Sequence, residues 1–388
     1  MNLLERVGYR RLALLLWGIP LLVIFIRVAA HPTYRSATVV YHQAASEWIA
    51  GEPLYTHPLA YNYLPVFAPL FIPFHCLPLP VGDLLWRMLA AGLLASGLWR
   101  LIRQLTIDPW PAFLLTTAVA LPVSLSSFSN GQANALLAAL MLQTVACLQL
   151  KQWNWAAVVI TLAVVVKPIG LVLLLLVPLV YPQVLWRLIV AIIVLAVLPF
   201  GLGVPAYVLA EHRAFLANLQ VCSEVTKHRF ADINGIIRTF GGELAPDVSR
   251  TLRMTAGPVT AGVWWWVGRR VREPQRGLLL YALVAAYLML FNPMTEANSY
   301  VILAPAIGLW AVMALAVPGA RPMLIGMVCI SATMILLPTL LWAVCGNYFK
   351  LFWYPAMTMV FVGLVAGVLW LAERKSDEQE AAEKCLDG

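Results

Sequence analysis

The chain has 388 residues, of which 62% are hydrophobic and only 11% are charged, whereas a soluble domain is about half apolar and about a quarter charged. Its mean hydropathy of +0.82 excludes an ordinary soluble protein. The formal net charge of +8 comes from Lys and Arg residues in short loops beside apolar runs, which is typical of topology signals and phosphate contacts rather than of a nucleic-acid surface.

The apolar runs determine the predicted fold class. They are apolar throughout, as in residues 171–180 and 191–198, whereas the strands of a membrane barrel alternate apolar and polar residues. A helix needs about 20 mostly apolar residues to cross the hydrocarbon core, so the chain has room for about 10 to 13 crossings. The sequence therefore predicts an all-α, polytopic transmembrane helical bundle, with residues 1–372 as a single membrane domain.

The first predicted helix covers about residues 11–30 and follows Arg6, Arg10 and Arg11. Its apolar part is too long for a signal peptide and lacks a clear small-x-small cleavage site, so we expect it to span the membrane. By the positive-inside rule, the basic flank keeps the N-terminus in the cytoplasm. We therefore expect a multi-pass protein of a bacterial inner membrane, with the next loop on the outer side.

Residues 31–65 form the first predicted extracytoplasmic loop. Within it, residues 37–50 fit a short amphipathic helix that lies on the membrane surface and stops at Gly51 and Pro53. The expected apolar face consists of Val40, Ala44, Ala45 and Trp48.

The next apolar stretch, residues 66–80, carries several prolines and fits either a short kinked span or a re-entrant segment. A second long polar loop is expected at residues 205–255, and a charged cytoplasmic tail at residues 373–388. The other predicted spans lie near residues 82–103, 109–127, 132–150, 153–181, 184–204, 277–292, 299–317, 321–345 and 351–372, with a shorter one around 264–266. The span at 153–181 fits one helix or two short helices broken at Lys167 and Pro168.

Amide side chains cluster at the junction of two predicted spans, at Asn130, Gln132 and Asn134. Because Asn-Gly is a strong turn signal, one interpretation is a turn that caps the following helix. The other is a group of neutral donors and acceptors that binds the hydroxyl groups of a sugar or acceptor, or a phosphate. The residues alone leave both interpretations open.

Lys167 lies within an apolar segment, where an ammonium group costs roughly 2.5 to 3.5 kcal/mol on insertion scales. Such a group needs a partner. It either extends to the membrane interface or an internal ion pair, or supplies a point charge for a lipid-linked phosphate.

Asn234 and Arg238 follow the basic residues 227–229 in the second polar loop. A charged run of this kind usually faces solvent. Arg238, however, is flanked by Ile236 and Ile237, which favours a side chain that points into a pocket and binds phosphate oxygens in a bidentate manner.

Glu296 and Asn298 belong to a polar stretch between two apolar helices. The carboxylate either caps the following helix or binds a sugar hydroxyl and acts as a general base, since burial raises the pKa of a carboxyl group.

The sequence contains no G-x-x-x-x-G-K-[ST], no G-x-G-x-x-G after a strand, no H-E-x-x-H and no D-x-D. ATP hydrolysis, dinucleotide binding and zinc hydrolysis therefore have no support. The six cysteines lack the spacing of a metal site and are expected to be reduced and structural. We expect no metal and no cofactor, and a donor that needs no nucleotide-binding domain.

Taken together, the motifs resemble the multispanning GT-C glycosyltransferases, and most closely glycosyltransferase family 87, the polyprenyl-phosphate-sugar-dependent mannosyltransferases. The resemblance covers about residues 10–310, and its motifs occur in the order of the family. The matching residues are Tyr41, Ala44, Ala45, Gly51, Leu54, Tyr55, Tyr63, Pro65, Asn130, Gly131, Gln132, Asn134, Lys167, Pro168, Asn234, Gly235, Arg238, Pro293, Tyr300 and Pro305.

The resemblance implies an inverting transferase that moves a hexose or pentose from a polyprenyl-phosphate sugar to a lipid or glycan acceptor, among membrane lipids at the outer face of the inner membrane. Lys167 and Arg238 would bind the donor phosphate. The sugar or acceptor would contact the following residues: Tyr41, Asn130, Gln132, Asn134, Asn234 and Asn298.

One departure concerns the catalytic base. The family usually carries an acidic residue a few positions before the first-loop tyrosine, and this chain has only Ser, Ala, Thr and Val at residues 36–40. Glu296 is the first substitute, followed by Glu47 and His42, whose unperturbed pKa lies near 6.5. Two other hypotheses stay open: a lipid or small-molecule transporter or flippase, and an inactive family member that acts as a scaffold.

Overall fold

The computed structural model describes residues 3–57, 60–223, 230–346 and 348–386, and the basic residues 227–229 lie outside this part of the chain. The described residues form helices and no strand. Seven helical segments are long and apolar enough to cross a membrane. They lie in α1 (Leu3–Ala30), α4 (Leu79–Ile102), α5 (Pro109–Asn130), α9 (Leu185–Leu202), α14 (Ala304–Ala316), α15 (Arg321–Leu340) and α17 (Tyr348–Leu386).

Four shorter apolar helices complete the interior of the bundle. They are α6 (Ala133–Gln149), α7 (Trp153–Val166), α8 (Leu171–Val180) and α13 (Gln275–Phe291). The remaining helices are α2 (Thr38–Ala50), α3 (Phe67–His75), α10 (Pro205–Ser223), α11 (Ile233–Thr239), α12 (Pro246–Gly268) and α16 (Trp342–Cys345). The predicted all-α transmembrane bundle is therefore confirmed.

The helix ends gather at two faces. Arg6, at the start of α1, pairs with Asp108 before α5 at 3.3 Å, and we name this side the terminal face. At the other side, the amide of Ala37 donates to the carbonyl of Asn130 at 2.8 Å, and we name this side the loop face. The first loop and the polar junctions at Asn130 and Ser299 therefore share one end of the bundle.

Helices α7 and α8 form a hairpin whose two outer ends lie at the terminal face, where the rings of Trp153 and Tyr181 are 6.4 Å apart. Lys167 and Pro168 lie at its tip. The break is local in origin, because a residue before proline is driven out of the helical region, and Lys167 adopts φ −156 and ψ 127. Of the two alternatives for residues 153–181, the structure therefore has the two short helices broken at Lys167 and Pro168.

Residues 66–80 do not contain a span. Helix α3 has 9 residues, which is too short to cross the hydrocarbon core. It packs closely on α4, where a Cβ at Gly82 would lie 2.1 Å from the carbonyl oxygen of Phe74. Of the two alternatives, the short kinked span is therefore wrong, and the re-entrant segment stays a prediction. The stretch contains a short helix on the loop face.

The second polar region is mostly helical. Helix α10 covers the first loop and is held to it by several hydrogen bonds. Tyr207 donates to the carbonyl of Glu52 at 2.8 Å, the carboxylate of Glu211 accepts from the amide of Leu54 at 3.0 Å, and Asn218 donates to the carbonyl of Tyr61 at 3.1 Å. The charged segment at the C-terminus continues α17 as far as Leu386.

Candidate active site

The predicted amphipathic helix is α2, and it ends at Gly51 in the left-handed conformation, with φ 71. Its buried face consists of Thr38, Tyr41, His42, Ala44, Ala45 and Trp48. Trp48 donates to the carbonyl of Leu202 at the end of α9, at 3.1 Å. The helix is therefore packed against the bundle and forms part of the wall of a cavity.

Tyr41 connects this helix to the neighbouring polar elements. Its hydroxyl accepts a hydrogen bond from the amide of Ala133 at 3.0 Å and lies 2.8 Å from the hydroxyl of Tyr63. Desolvation by burial raises the pKa of Tyr41 to about 12, so the phenol stays protonated at physiological pH. The side chain is a fixed polar group at the edge of the cavity.

A buried charge pair in α4 fixes the start of the first loop. Arg87 and Asp83 lie one helical turn apart, with Nη1 and Oδ2 at 3.4 Å, and both side chains are almost fully buried. Arg87 also donates to Ser36 Oγ at 2.8 Å and to the carbonyl of Phe128 at 3.0 Å. This pair was not predicted from the sequence, although two charges four residues apart in an apolar span are a visible signal.

The turn between α5 and α6 presents the amide cluster. Gly131 ends α5 with φ 73, and a Cβ there would lie 2.7 Å from Nη2 of Arg87. Gln132 and Asn134 follow and point toward each other, with Asn134 Nδ2 donating to Gln132 Oε1 at 2.8 Å. The predicted turn is therefore confirmed, but the side chain of Gln132 does not cap α6, and the turn places two amides at the cavity.

Four side chains from three parts of the sequence form one hydrogen-bonded chain. Lys167 Nζ donates to Asn134 Oδ1 at 2.5 Å. Asn134 donates to Gln132, and Gln132 Nε2 donates to Glu296 Oε2 at 3.0 Å. The chain therefore links the hairpin tip, the α5–α6 turn and the junction that follows α13.

This chain lies in a cavity of about 650 Å³. Tyr41 and Tyr63 line one side, and the other side is apolar, with Ile169, Leu171, Val172, Leu175 and Phe291 among its residues. Leu171 and Leu175 are 47% and 60% exposed on α8, so the apolar side is open laterally. The cavity combines a cation, a carboxylate and neutral amides with an apolar wall.

Glu296 occupies two roles at this junction. Its side chain caps the short 3-10 helix Ala297–Val301 in a capping box, in which Ser299 Oγ accepts from the amide of Glu296 at 3.2 Å. The predicted helix cap is confirmed. The side chain is exposed to the cavity rather than buried as expected, and among the described lining residues it is the single carboxylate.

The other two candidate bases lie outside this cavity. His42 points toward α4, with Nε2 at 3.1 Å from Asp83 Oδ1 and Nδ1 at 3.4 Å from Nδ1 of His75. Glu47 accepts from Gln43 on the outer surface of α2 at 2.8 Å. Neither residue lines the cavity.

Arg238 and Asn234 are also placed elsewhere. Asn234 donates to Ser249 at 2.8 Å, and it lies under α12. Arg238 lies near the buried carboxylate of Asp232, whose pKa is raised by desolvation and lowered in part by the charges of Arg238 and Arg253. These side chains support the local fold and do not line the cavity.

Asn130 and Asn298 line a second, separate cavity. Asn130 donates to the carbonyl of Arg35 at 2.7 Å. Of the predicted residues, the first cavity therefore contains Glu296, Lys167, Tyr41, Gln132 and Asn134. Asn62, Tyr63, Tyr287 and Ser299 line it as well and were not predicted as site residues, although Tyr63 is among the residues that match the family.

The chain was compared with known proteins. A polyprenol-phosphate-mannose-dependent alpha-(1-2)-phosphatidylinositol mannoside mannosyltransferase from Mycobacterium tuberculosis is 32% identical over 129 residues, which is 30% of this chain and 30% of the relative. The crystal structure of ArnT from Cupriavidus metallidurans in the apo state overlaps with a TM-score of 0.43 at 15% identity, over 94% of this chain and 76% of that chain.

The family model gives the wider match. The model of glycosyltransferase family 87 matches residues 61–293, a range that includes the α5–α6 turn and Lys167 and ends three residues before Glu296. The match covers more than half of the chain, and the chain belongs to glycosyltransferase family 87.

Proposed function

We propose that this protein transfers a sugar from a polyprenyl phosphate to a hydroxyl group of a lipid or glycan acceptor, in the cavity described above. The observation that carries this proposal is the hydrogen-bonded chain from Lys167 through Asn134 and Gln132 to Glu296. This chain provides a phosphate-binding cation and a proton acceptor in one cavity.

The donor phosphate binds at Lys167. An ammonium group has three donors, and Asn134 takes one of them, which leaves others for phosphate oxygens. The negative charge on the phosphate grows as the sugar leaves, so a fixed cation stabilises the transition state more than the ground state. Arg238, which does not line the cavity, is not part of this step.

The proton acceptor is Glu296. The acceptor hydroxyl gives its proton to the Glu296 carboxylate while its oxygen forms a bond to the anomeric carbon. The bond from that carbon to the phosphate oxygen breaks on the opposite side, and polyprenyl phosphate leaves with the electron pair. This displacement inverts the anomeric configuration.

The acidic residue absent from residues 36–40 is replaced in this account by Glu296, which reaches the cavity from the other end of the chain. Gln132 donates to Oε2 of Glu296 and thereby orients the carboxylate. An inactive scaffold would need neither an oriented carboxylate nor a nearby lysine ammonium group with N–H donors left for a ligand.

The polyprenyl chain lies along the apolar side of the cavity. Leu171 and Leu175 of α8 line the cavity and are also exposed at the surface of the bundle, so a lipid can pass between membrane and site without leaving apolar surroundings. Gln132, Asn134 and Tyr41 contact the sugar or the acceptor, since neutral amides and phenols match hydroxyl groups.

The cavity opens on the outer side of the inner membrane. The terminal face carries the arginines and lysines that flank the spans: Arg6, Arg10, Arg11, Arg100, Arg103, Lys151, Arg187, Arg269, Arg270, Arg272, Arg276 and Arg321. Positively charged ends face the cytoplasm, so this distribution supports a cytoplasmic N-terminus and an external loop face.

The test is a transfer assay with the purified full chain in lipid nanodiscs, a panel of polyprenyl-phosphate sugars and membrane extracts as acceptors. We expect transfer from one donor and binding of that donor without any nucleotide. Absence of both binding and transfer for every donor would contradict the proposal. Transport is the other activity to measure, and flipping of the donor without sugar transfer would favour the flippase hypothesis.

A further inference from the structure

A second cavity, of about 570 Å³, lies at the loop-face ends of α1 and α5. Its apolar wall comes from Pro20, Val23 and Ile24 of α1, and its polar rim includes Arg27 and Arg35. Val23 is 61% exposed at the surface of the bundle. The cavity is therefore a groove that is apolar toward the middle of the membrane and basic toward the loop face.

The two arginines line the same groove and contact one aromatic ring. The guanidinium carbons of Arg27 and Arg35 lie 5.6 and 5.4 Å from the ring centroid of Tyr34. Within the described residues neither guanidinium has a carboxylate within 4.0 Å, whereas Arg87 and Arg253 of the same face are paired with Asp83 and Asp232. Two neighbouring cations without an acidic partner form a site for an anion.

The backbone fixes this arrangement. Arg35 has φ 51, a left-handed conformation that is unfavourable for a residue with a side chain of this size. The conformation is held by Asn130, which donates to the carbonyl of Arg35 at 2.7 Å. Arg27 is fixed as well, because its Nη1 donates to Ser129 Oγ at 3.2 Å.

The depth of the groove indicates what kind of anion binds. Arg27 lies within the last turn of α1, which ends at Ala30, so its guanidinium is at the level where headgroups begin. The wall formed by Pro20 and Val23 lies one to two turns deeper, at the level of acyl chains. A soluble phosphate would match the arginines but leave this wall uncovered.

We infer that this groove binds a membrane lipid whose headgroup carries an anionic phosphate, with the phosphate at Arg27 and Arg35 and an acyl chain along Pro20 and Val23. The two cavities share no lining residue. Asn130 and Asn298 face this groove, while Gln132 and Glu296 face the first cavity. The inference concerns binding alone and does not depend on the proposed transfer reaction.

The experiment measures lipid binding to the purified full chain by native mass spectrometry. The probes are phosphatidylglycerol, phosphatidylcholine and the chain-free headgroup glycerol phosphate. The variant R27Q/R35Q removes the cations, and S126W fills the groove from an exposed position of α5 without changing the charge. The matched control is R269Q/R270Q, which removes two arginines that stand over Trp265 and Trp266 at the terminal face.

We expect one tightly bound phosphatidylglycerol, an affinity roughly 10- to 30-fold lower in R27Q/R35Q, and a comparable loss in S126W. R269Q/R270Q should bind phosphatidylglycerol as tightly as the wild type does. Phosphatidylcholine and glycerol phosphate should not compete with phosphatidylglycerol for the site. Equal losses of phosphatidylglycerol affinity in R27Q/R35Q and R269Q/R270Q would reveal a general attraction of anionic lipid to the basic surface. Equal binding of phosphatidylcholine and phosphatidylglycerol would exclude a charge-selective site. Competition by glycerol phosphate at the same concentration would show a free anion site. Each of these three results would overturn the inference.

Discussion

Lys167 and Asn134 are joined by a hydrogen bond of 2.5 Å from Nζ to Oδ1, although they lie 33 positions apart. This bond places the tip of the α7–α8 hairpin against the first turn of α6. It satisfies a cation that an apolar segment alone cannot accommodate. The first cavity therefore contains a charge whose position is fixed by two separate elements of the bundle.

Replacing Lys167 by Met should remove the proposed phosphate-binding cation at nearly constant side-chain length. We expect transfer to fall by roughly 10²- to 10³-fold, as for the loss of one fixed group that stabilises transition-state charge. The measurement is the initial rate of sugar transfer in nanodiscs. K151M, at an exposed lysine of the terminal face, is the control and should keep the wild-type rate.

The variant E296Q keeps an acceptor for Gln132 but removes the proposed base. We expect donor binding to be retained and transfer to fall by roughly 10²- to 10⁴-fold, which is the usual contribution of general base catalysis. E47Q changes a carboxylate on the outer surface of α2 and should transfer normally. An inactive E47Q beside an active E296Q would assign the base to the first loop instead.

Asp83 should be more important for the stability of the fold than for the sugar-transfer reaction. The variant D83N leaves the Arg87 guanidinium, which is 1% exposed, without its counter-charge. Breaking one side of a buried pair costs about 3 to 5 kcal/mol, so the thermal unfolding midpoint in detergent should drop by several degrees or more. E378Q removes the partner of Arg374 in a pair that is more than half exposed, and it should unfold like the wild type.

The variant G131A tests the turn that carries Gln132. The left-handed backbone and the clash of a Cβ with Arg87 at 2.7 Å both oppose it, so we expect a loss of about 1 to 3 kcal/mol and lower transfer. G92A is the matched control, because a Cβ at that helical glycine meets nothing within 4 Å. Unchanged unfolding of G131A would show that the turn is not constrained in this way.

The stability of the protein should depend on Tyr41 at alkaline pH. Burial raises its pKa from 10.0 to about 12, so between these values the unfolded chain loses the phenolic proton while the folded chain keeps it. The contribution of Tyr41 is therefore complete below pH 10 and lost as the pH rises toward 12. The free energy of unfolding, measured across this pH range, should decline more steeply for the wild type than for Y41F. Parallel pH curves for the two proteins would contradict the burial of Tyr41.

Much of the fold could be predicted from the sequence because local chemistry determines it. Pro168 drives the residue before it, Lys167, out of the helical conformation, and Gly51 and Gly131 supply the left-handed conformations that end α2 and α5. The apolar runs show where helices cross. The short α3 could not be recognised as a surface helix, because apolar composition alone does not distinguish it from a kinked span.

The site was only partly predictable, because its geometry depends on long-range packing. Lys167 and Glu296 were visible as charges in apolar surroundings, and the structure brings both to one cavity. Arg238 gave a similar signal, but Asp232 lies close enough to neutralise part of its charge. Asp83 and Arg87 were not predicted, because the contacts of Arg87 with Ser36 and Phe128 join positions more than 40 residues apart.

The position of the donor phosphate tests the central claim most directly. We propose to determine the structure of the full chain in nanodiscs with a bound polyprenyl phosphate. The account predicts phosphate oxygens within hydrogen-bonding distance of Lys167 Nζ and a prenyl chain along Leu171 and Leu175. A phosphate bound at Arg238, or at Arg27 and Arg35 with the first cavity empty, would contradict it.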